Sequence, residues 1–255
     1  AVVPAVRPST GAASAAWIRG AIAEYYGPRQ GLEYRSPRAF ALRQLDDRFS
    51  IFKPDQVVLD LGCFAGGWSE VAVERTYASS SSSRVIGVDV VRMDPLHHHT
   101  FIQGDVAEEA TVQRIAEELG GRQADVVLSD LSRPTVGLKF EDHMDSMQLC
   151  LYAARIMERS LRVGGWFICK YSSGAEDQHW RLYMDSRFQT VRTIKPPASR
   201  SANAEGIVVC RDFIGRQTIA EEVLRPDMTM KHEGRDRWDG EMRRRRAQPK
   251  PTPDQ

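Results

Sequence analysis

Residues 57–70 read VVLDLGCFAGGWSE. A β-favouring apolar run reaches Asp60, a loop carrying Gly62, Gly66 and Gly67 comes next, and a helical pattern opens around Trp68. Strand, glycine loop and helix in that order form the opening unit of a doubly wound α/β sheet. Ligands of such sheets bind beyond the carboxyl ends of the strands, where loop glycines let the backbone come close. A glycine loop alone is a common pattern, so the rest of the chain decides what it means.

On either side of this unit, short apolar runs alternate with helical patterns. The runs are 56–61, 84–89 (RVIGVD), 100–103, 125–129 (DVVLS), 165–170 (GWFICK), 189–194 and 206–211. Helical periodicity covers 66–77, 107–119, 142–161 and 176–186. In 142–161 the residues Met147, Leu151, Ala154, Met157 and Leu161 recur three or four positions apart, which marks one helix face. Continuous apolar strands separated by helices predict a parallel sheet covered on both faces.

The 255 residues suit one such domain, with 42% hydrophobic and 27% charged residues. We divide the chain into an N-terminal extension (1–33), a domain (34–215) and a basic, extended C-terminal tail (216–255). No apolar run is long enough for a membrane span. Cys63, Cys150, Cys169 and Cys210 are scattered without a CxxC pair, which argues against zinc and disulfide frameworks and fits a reducing compartment. The histidine run at 97–99 is contiguous rather than convergent, so no metal site is expected.

A net charge of +1 conceals basic ends around an acidic middle. Basic flanks suit a polyanion such as RNA, and equally suit solvated surfaces of mixed sign. The sequence opens on Ala1 rather than Met, which predicts a processed or truncated chain. Residues 1–23 hold Arg7, Arg19 and eight alanines and no acid, a composition like that of an organellar transit peptide or of the segment just after its cleavage point, and equally like that of a plain flexible extension. Residues 79–83 are five serines, read as a flexible insertion, and the tail carries Arg243, Arg244, Arg245 and Arg246.

Acids stand at the ends of several strands: Asp60, Asp89 in GVDV, Asp105 in QGDV and Asp130 in LSD. Carboxylates there bind hydroxyls, amines or a sulfonium and repel a pyrophosphate. The loop also lacks GxGxxG and the GxxxxGK[ST] phosphate cradle. S-adenosylmethionine therefore fits better than NAD or ATP, with Asp60, Gly62, Gly66, Gly67, Trp68, Asp89 (ribose), Asp105 (adenine) and Asp130 as cofactor-binding candidates. An NAD-dependent oxidoreductase is disfavoured.

The motifs YRSPRAFALRQLDDRF (34–49), LDLGCFAGGWS, GVDVVRMDP (87–95), FIQGDV (101–106), ADVVLSDLS (124–132), GGWFICKY (164–171) and KPPASRSANAEGIVV (195–209) appear in order. With them the sequence resembles the FtsJ family of S-adenosylmethionine-dependent RNA ribose 2′-O-methyltransferases, most of all its mitochondrial large-subunit rRNA branch. The resemblance implies a Rossmann-like class I methyltransferase fold with a mostly parallel seven-stranded sheet. It also implies ribosomal RNA as substrate, the pre-ribosomal large subunit and its proteins as partners, and a soluble protein of the mitochondrial matrix.

The family uses a Lys-Asp-Lys-Glu tetrad. Carried onto this sequence, Asp130, Lys170 and Glu205 are its last three members. The family pattern YRSRAAYKL aligns with residues 34–42 and puts Ala41 where the first lysine stands. Arg38, one helical turn earlier, can point a guanidinium the same way, but arginine stays protonated and is no base. The loop SDLSRP, with Arg133, departs from the family's SDMAPN, and Ala65 stands at a usual proline. Arg35, Arg38, Arg133 and Arg243 to Arg246 are the expected RNA contacts. Two functions remain open at this point: an rRNA ribose 2′-O-methyltransferase, and a catalytically silent assembly factor on the same fold.

Overall fold

The run VVLDL forms β1 (Val57–Leu61), buried at every residue. It lies between β2 (Arg84–Asp89) and β4 (Ala124–Ser129) and is parallel to both. β3 (His99–Gln103) continues the parallel sheet beyond β2, and β5 (Leu161–Ser172) continues it beyond β4. β7 (Glu205–Phe213) enters antiparallel between β5 and β6 (Phe188–Ile194), giving the order β3-β2-β1-β4-β5-β7-β6. The expected mostly parallel, seven-stranded sheet is thus present. The computed structural model describes residues 34–76, 84–134, 136–194 and 205–215. The 1–33 extension, the serine run and the arginine tail lie outside the described residues.

The helices are α1 (Arg38–Phe49), α2 (Gly67–Thr76), α3 (Glu109–Leu119), α4 (Lys139–Ser160) and α5 (Asp177–Asp185). Side chains alternate across a strand, so each strand feeds two cores. Leu59, Val127 and Phe167 pack with residues of α3, α4 and α5. Val58, Leu128 and Ile168 pack with Leu42 and Leu45 of α1 and Val71 of α2. Two positions along β1 and β5 from this second set stand Asp60 and Lys170. The polar site therefore belongs to the face that α1 and α2 cover.

The two largest boundary differences from the sequence reading are at the starts of α4 and β5. α4 starts at Lys139 rather than at 142, because Asp142 is not a cap at its start. Its carboxylate sits in the first turn and accepts the N–H groups of Val136 (2.7 Å) and Gly137 (3.1 Å) upstream. β5 starts at Leu161 rather than at 165. Its first part is held by Arg162 Nε, which donates to Asp125 Oδ1 at 2.6 Å, and the register slips before Trp166. Among the described residues no helix is long and apolar enough to cross a membrane. All four cysteines are free and buried.

Candidate active site

The loop after β1 is held at close quarters. The N–H groups of Gly62 (2.8 Å) and Cys63 (3.2 Å) donate to Val88 O at the end of β2. Gly62 has φ +80°, and a Cβ there would lie 2.7 Å from Leu131 N and 2.9 Å from Asp130 C. Only glycine lets the loop after β4 come this near, with Asp130 N–H donating to Leu61 O at 2.9 Å. A Cβ at Gly67 would lie 2.7 Å from Ser36 Cβ, so this glycine admits the segment that leads into α1. Gly66 faces the side chains of Arg35 and Met93, and the Phe64–Ala65 peptide is cis.

Four carboxylates stand at this end of the sheet. Asp89 accepts the N–H of Phe64 on Oδ2 (3.0 Å) and of Val91 on Oδ1 (2.8 Å). A carboxylate offers about four acceptor sites, so acceptor capacity remains. Asp60 is fully buried; Ser69 donates its hydroxyl to Oδ2 at 2.7 Å, while Oδ1 has no hydrogen-bond partner among the described residues. Burial pushes the Asp60 carboxyl up to about 7, and the negative charges of Asp130 and Asp89 add to the effect. An orphaned carboxylate oxygen beside further acids fits a ligand that brings positive charge and hydrogen-bond donors, and disfavours a phosphate. Asp105, beyond β3, is exposed and accepts Ala107 N–H at 2.8 Å.

Asp130, just past β4, is the centre of the cluster. Lys170 Nζ lies 2.5 Å from its Oδ1, and Arg38 Nη1 lies 2.6 Å from the same oxygen. Asp130 and Lys170 are buried (8% and 9% exposed), whereas Arg38 is 45% exposed. Burial alone would raise the Asp130 carboxyl, but the charges and hydrogen bonds of Arg38 and Lys170 outweigh it and hold it below the usual carboxylate range. Apart from the ion pair, Lys170 Nζ has no hydrogen-bond partner among the described residues. Glu205 opens β7 opposite Ser172, while Lys170 pairs with Ile207. Residues two apart share a sheet face, so Glu205 and Lys170 project to the same side.

Residues 34–213 match the FtsJ-like methyltransferase family. The chain belongs to that family. Ribosomal RNA large subunit methyltransferase E of Parvibaculum lavamentivorans is 39% identical to it over 213 residues, covering 80% of this chain and 83% of the relative. The Mesorhizobium japonicum protein of the same name is 36% identical over 202 residues, covering 79% and 76%. A Plasmodium falciparum crystal structure assigned as a ribosomal RNA methyltransferase superposes with a TM-score of 0.65 at 33% identity, covering 72% of this chain and all of that one.

The structure brings together Asp60, Gly62, Gly66, Gly67, Asp89 and Asp130 around the glycine loop of this FtsJ-like chain, and Arg38 and Lys170 at Asp130. Two of the expected residues are engaged within the fold. Trp68, expected at the cofactor, has its side chain buried in the core under α1, and its indole N–H donates to Arg38 O at 3.0 Å; it packs. Arg35, expected on RNA, donates from Nη1 and Nη2 to the carbonyls of Asp94 (2.8 Å) and Pro95 (2.6 Å), clamping the loop after β2. Arg133, on the loop after β4, pairs with Asp145 at 3.0 Å across an exposed surface. Sequence reasoning missed Ser69, the partner of Asp60. The one available signal was a hydroxyl in the first turn of the helix after the glycine loop.

Proposed function

We propose that this chain transfers a methyl group from S-adenosylmethionine to a ribose 2′-hydroxyl of large-subunit ribosomal RNA during mitochondrial ribosome biogenesis, as a soluble matrix protein. The observation that carries the reading is the buried Lys170–Asp130 pair at the carboxyl edge of the sheet, beside the glycine loop. The names of the relatives support an rRNA substrate. The Arg-bearing, acid-free segment 1–23 supports the compartment. The pre-ribosomal large subunit and its proteins are the partners this reading implies.

When bound, S-adenosylmethionine supplies an electrophilic methyl group on a cationic sulfur. Asp89 and Asp105 are the residues for its ribose and adenine ends, and the acids around the glycine loop suit its positive charge. An alcohol is a poor nucleophile at neutral pH and needs a base in hydrogen-bond reach. Arg38 stays protonated and Asp130 stays ionised, so neither exchanges a proton. Lys170 is the remaining side chain in the cluster that can take the 2′-hydroxyl proton as the new O–C bond forms and the methyl–sulfur bond breaks, its electron pair staying on sulfur as a neutral thioether. Asp130 then holds the resulting ammonium in place, and Glu205 faces the same side of the sheet.

The test is a map of ribose 2′-O-methylation in rRNA from cells carrying either the wild-type protein or Lys170→Ala. One site is expected to vanish in the variant. If every site persists while depletion of the protein blocks ribosome production, the reading fails and the chain acts by binding.

A further inference from the structure

The geometry points to Arg38 as a positioning residue: its guanidinium, rather than a second lysine, is the fixed cation that orients Asp130 toward Lys170. This inference rests on the methyl-transfer reading, and concerns how the site keeps its order when Ala41 carries no charge.

Three observations support it. First, Arg38 Nη1 and Lys170 Nζ meet at one atom, Asp130 Oδ1, at 2.6 and 2.5 Å. The two cations come from different elements, one from the first residue of α1 and the other from β5. A carboxylate with a single cationic partner keeps a rotational freedom that a second, independently anchored donor removes. Second, Arg38 is anchored. Its carbonyl accepts the Trp68 indole N–H from α2, and its own N–H reaches Ser36 Oγ at 3.3 Å. The Cβ space left by Gly67 lets Ser36 sit against the glycine loop. The cation is thereby tied to the loop that defines the ligand edge. Third, the next turn of α1 supplies no substitute. Residues 36–42 read SPRAFAL, so an alanine stands one turn after the arginine. Ala41 is half-buried and offers no side-chain donor.

Arginine suits this duty because it never gives up its proton, so the orienting charge is constant through the reaction. Around Asp130 the charged groups are Arg38 on α1, Lys170 on β5 and Asp60 on β1, and the two cations together hold the carboxylate ionised.

The experiment uses the full chain and two variants, Arg38→Met, which keeps the alkyl stem, and Arg38→Lys, which keeps a charge. Two readouts are taken: methyl transfer to an rRNA fragment as a function of pH, and titration of the Asp130 carboxyl by carbon-13 NMR. Arg38→Met is expected to lower kcat about 100-fold with little change in KM, as for a reacting group displaced by about an ångström. It should also move the Asp130 titration to higher pH. Arg38→Lys should restore most of both. A rise in KM at constant kcat would make Arg38 an RNA-phosphate contact and overturn the inference, as would an Asp130 titration that Arg38→Met leaves unmoved. If the wild-type protein transfers no methyl group, the proposed function falls, and the NMR titration still decides the role of Arg38.

Discussion

The Trp68 indole N–H donates to the Arg38 carbonyl at 3.0 Å, a bond between the second residue of α2 and the first of α1. It makes a core side chain responsible for where a charged one begins. Trp68→Phe keeps an aromatic ring and deletes the donor. A lost hydrogen bond of this kind costs about 1–2 kcal/mol, so Tm should drop by roughly 3–6 °C. Methyl transfer should fall too, by less than in Arg38→Met. Unchanged melting and unchanged kcat in calorimetry and kinetics would show that the bond holds nothing in place.

Gly62 and Gly121 both have φ +80°, but only Gly62 is crowded: nothing lies within 4 Å of a Cβ built at Gly121. Gly121→Ala should cost about 1 kcal/mol, the strain of a left-handed alanine. Gly62→Ala adds a collision with the Leu131 backbone, and should cost roughly 3 kcal/mol or more. Urea midpoints measure the difference directly. Equal losses would mean that the loops after β1 and β4 separate easily.

Asp60 gives stability a pH dependence of unusual sign. Its carboxyl rises from an ordinary 3.8 to about 7 on folding, so the folded protein binds the proton more tightly than the unfolded chain. The contribution is fully present below about pH 4 and is lost as pH rises through 7, with a total of roughly 4 kcal/mol. Asp60→Asn cannot titrate. Its stability, measured by urea unfolding between pH 4 and 8, should lack this decline and exceed that of the wild type on the alkaline side. Parallel pH curves for the two proteins would contradict the assignment.

Glu158 accepts from Arg187 Nε at 2.5 Å and from the Tyr183 hydroxyl at 2.9 Å, with both ionic partners largely buried. Glu158→Gln leaves a buried guanidinium without its counter-charge and should cost about 3–5 kcal/mol. Glu109→Gln, which breaks the exposed pair with Arg159, should cost under about 1 kcal/mol. Chemical denaturation of the two variants tests the contrast. Similar losses would place the Glu158 cluster in water.

The strands were legible because apolar runs such as VVLDL and DVVLS have few other uses, and the direction of the sheet came from the helices between them. The ends were less so: the first residues of β5 are LRVGG, broken by a charge and two glycines, and the Arg162–Asp125 pair to the neighbouring strand helps to hold them. Asp130 and Lys170 could be singled out because charged residues ending apolar strands are conspicuous. Arg38 was within reach by helix spacing. The partners of Arg35 are carbonyls 59 and 60 residues away, and those of Trp68 and Asp89 include main-chain groups. A backbone carbonyl or N–H has no letter of its own, so the difference between a clamp and a binding residue appears only in three dimensions.

The shared oxygen of Asp130 has a consequence for how such a site changes over generations. A carboxylate that already holds one buried ammonium accepts its other cation from any turn of α1 that can reach it. A chain carrying both a lysine at 41 and an arginine at 38 would bear the charge twice, and could then discard either without passing through a form that has none. Redundancy at a single acceptor atom would thus give the helix a neutral route along which its cation could migrate while the sheet beneath stays fixed.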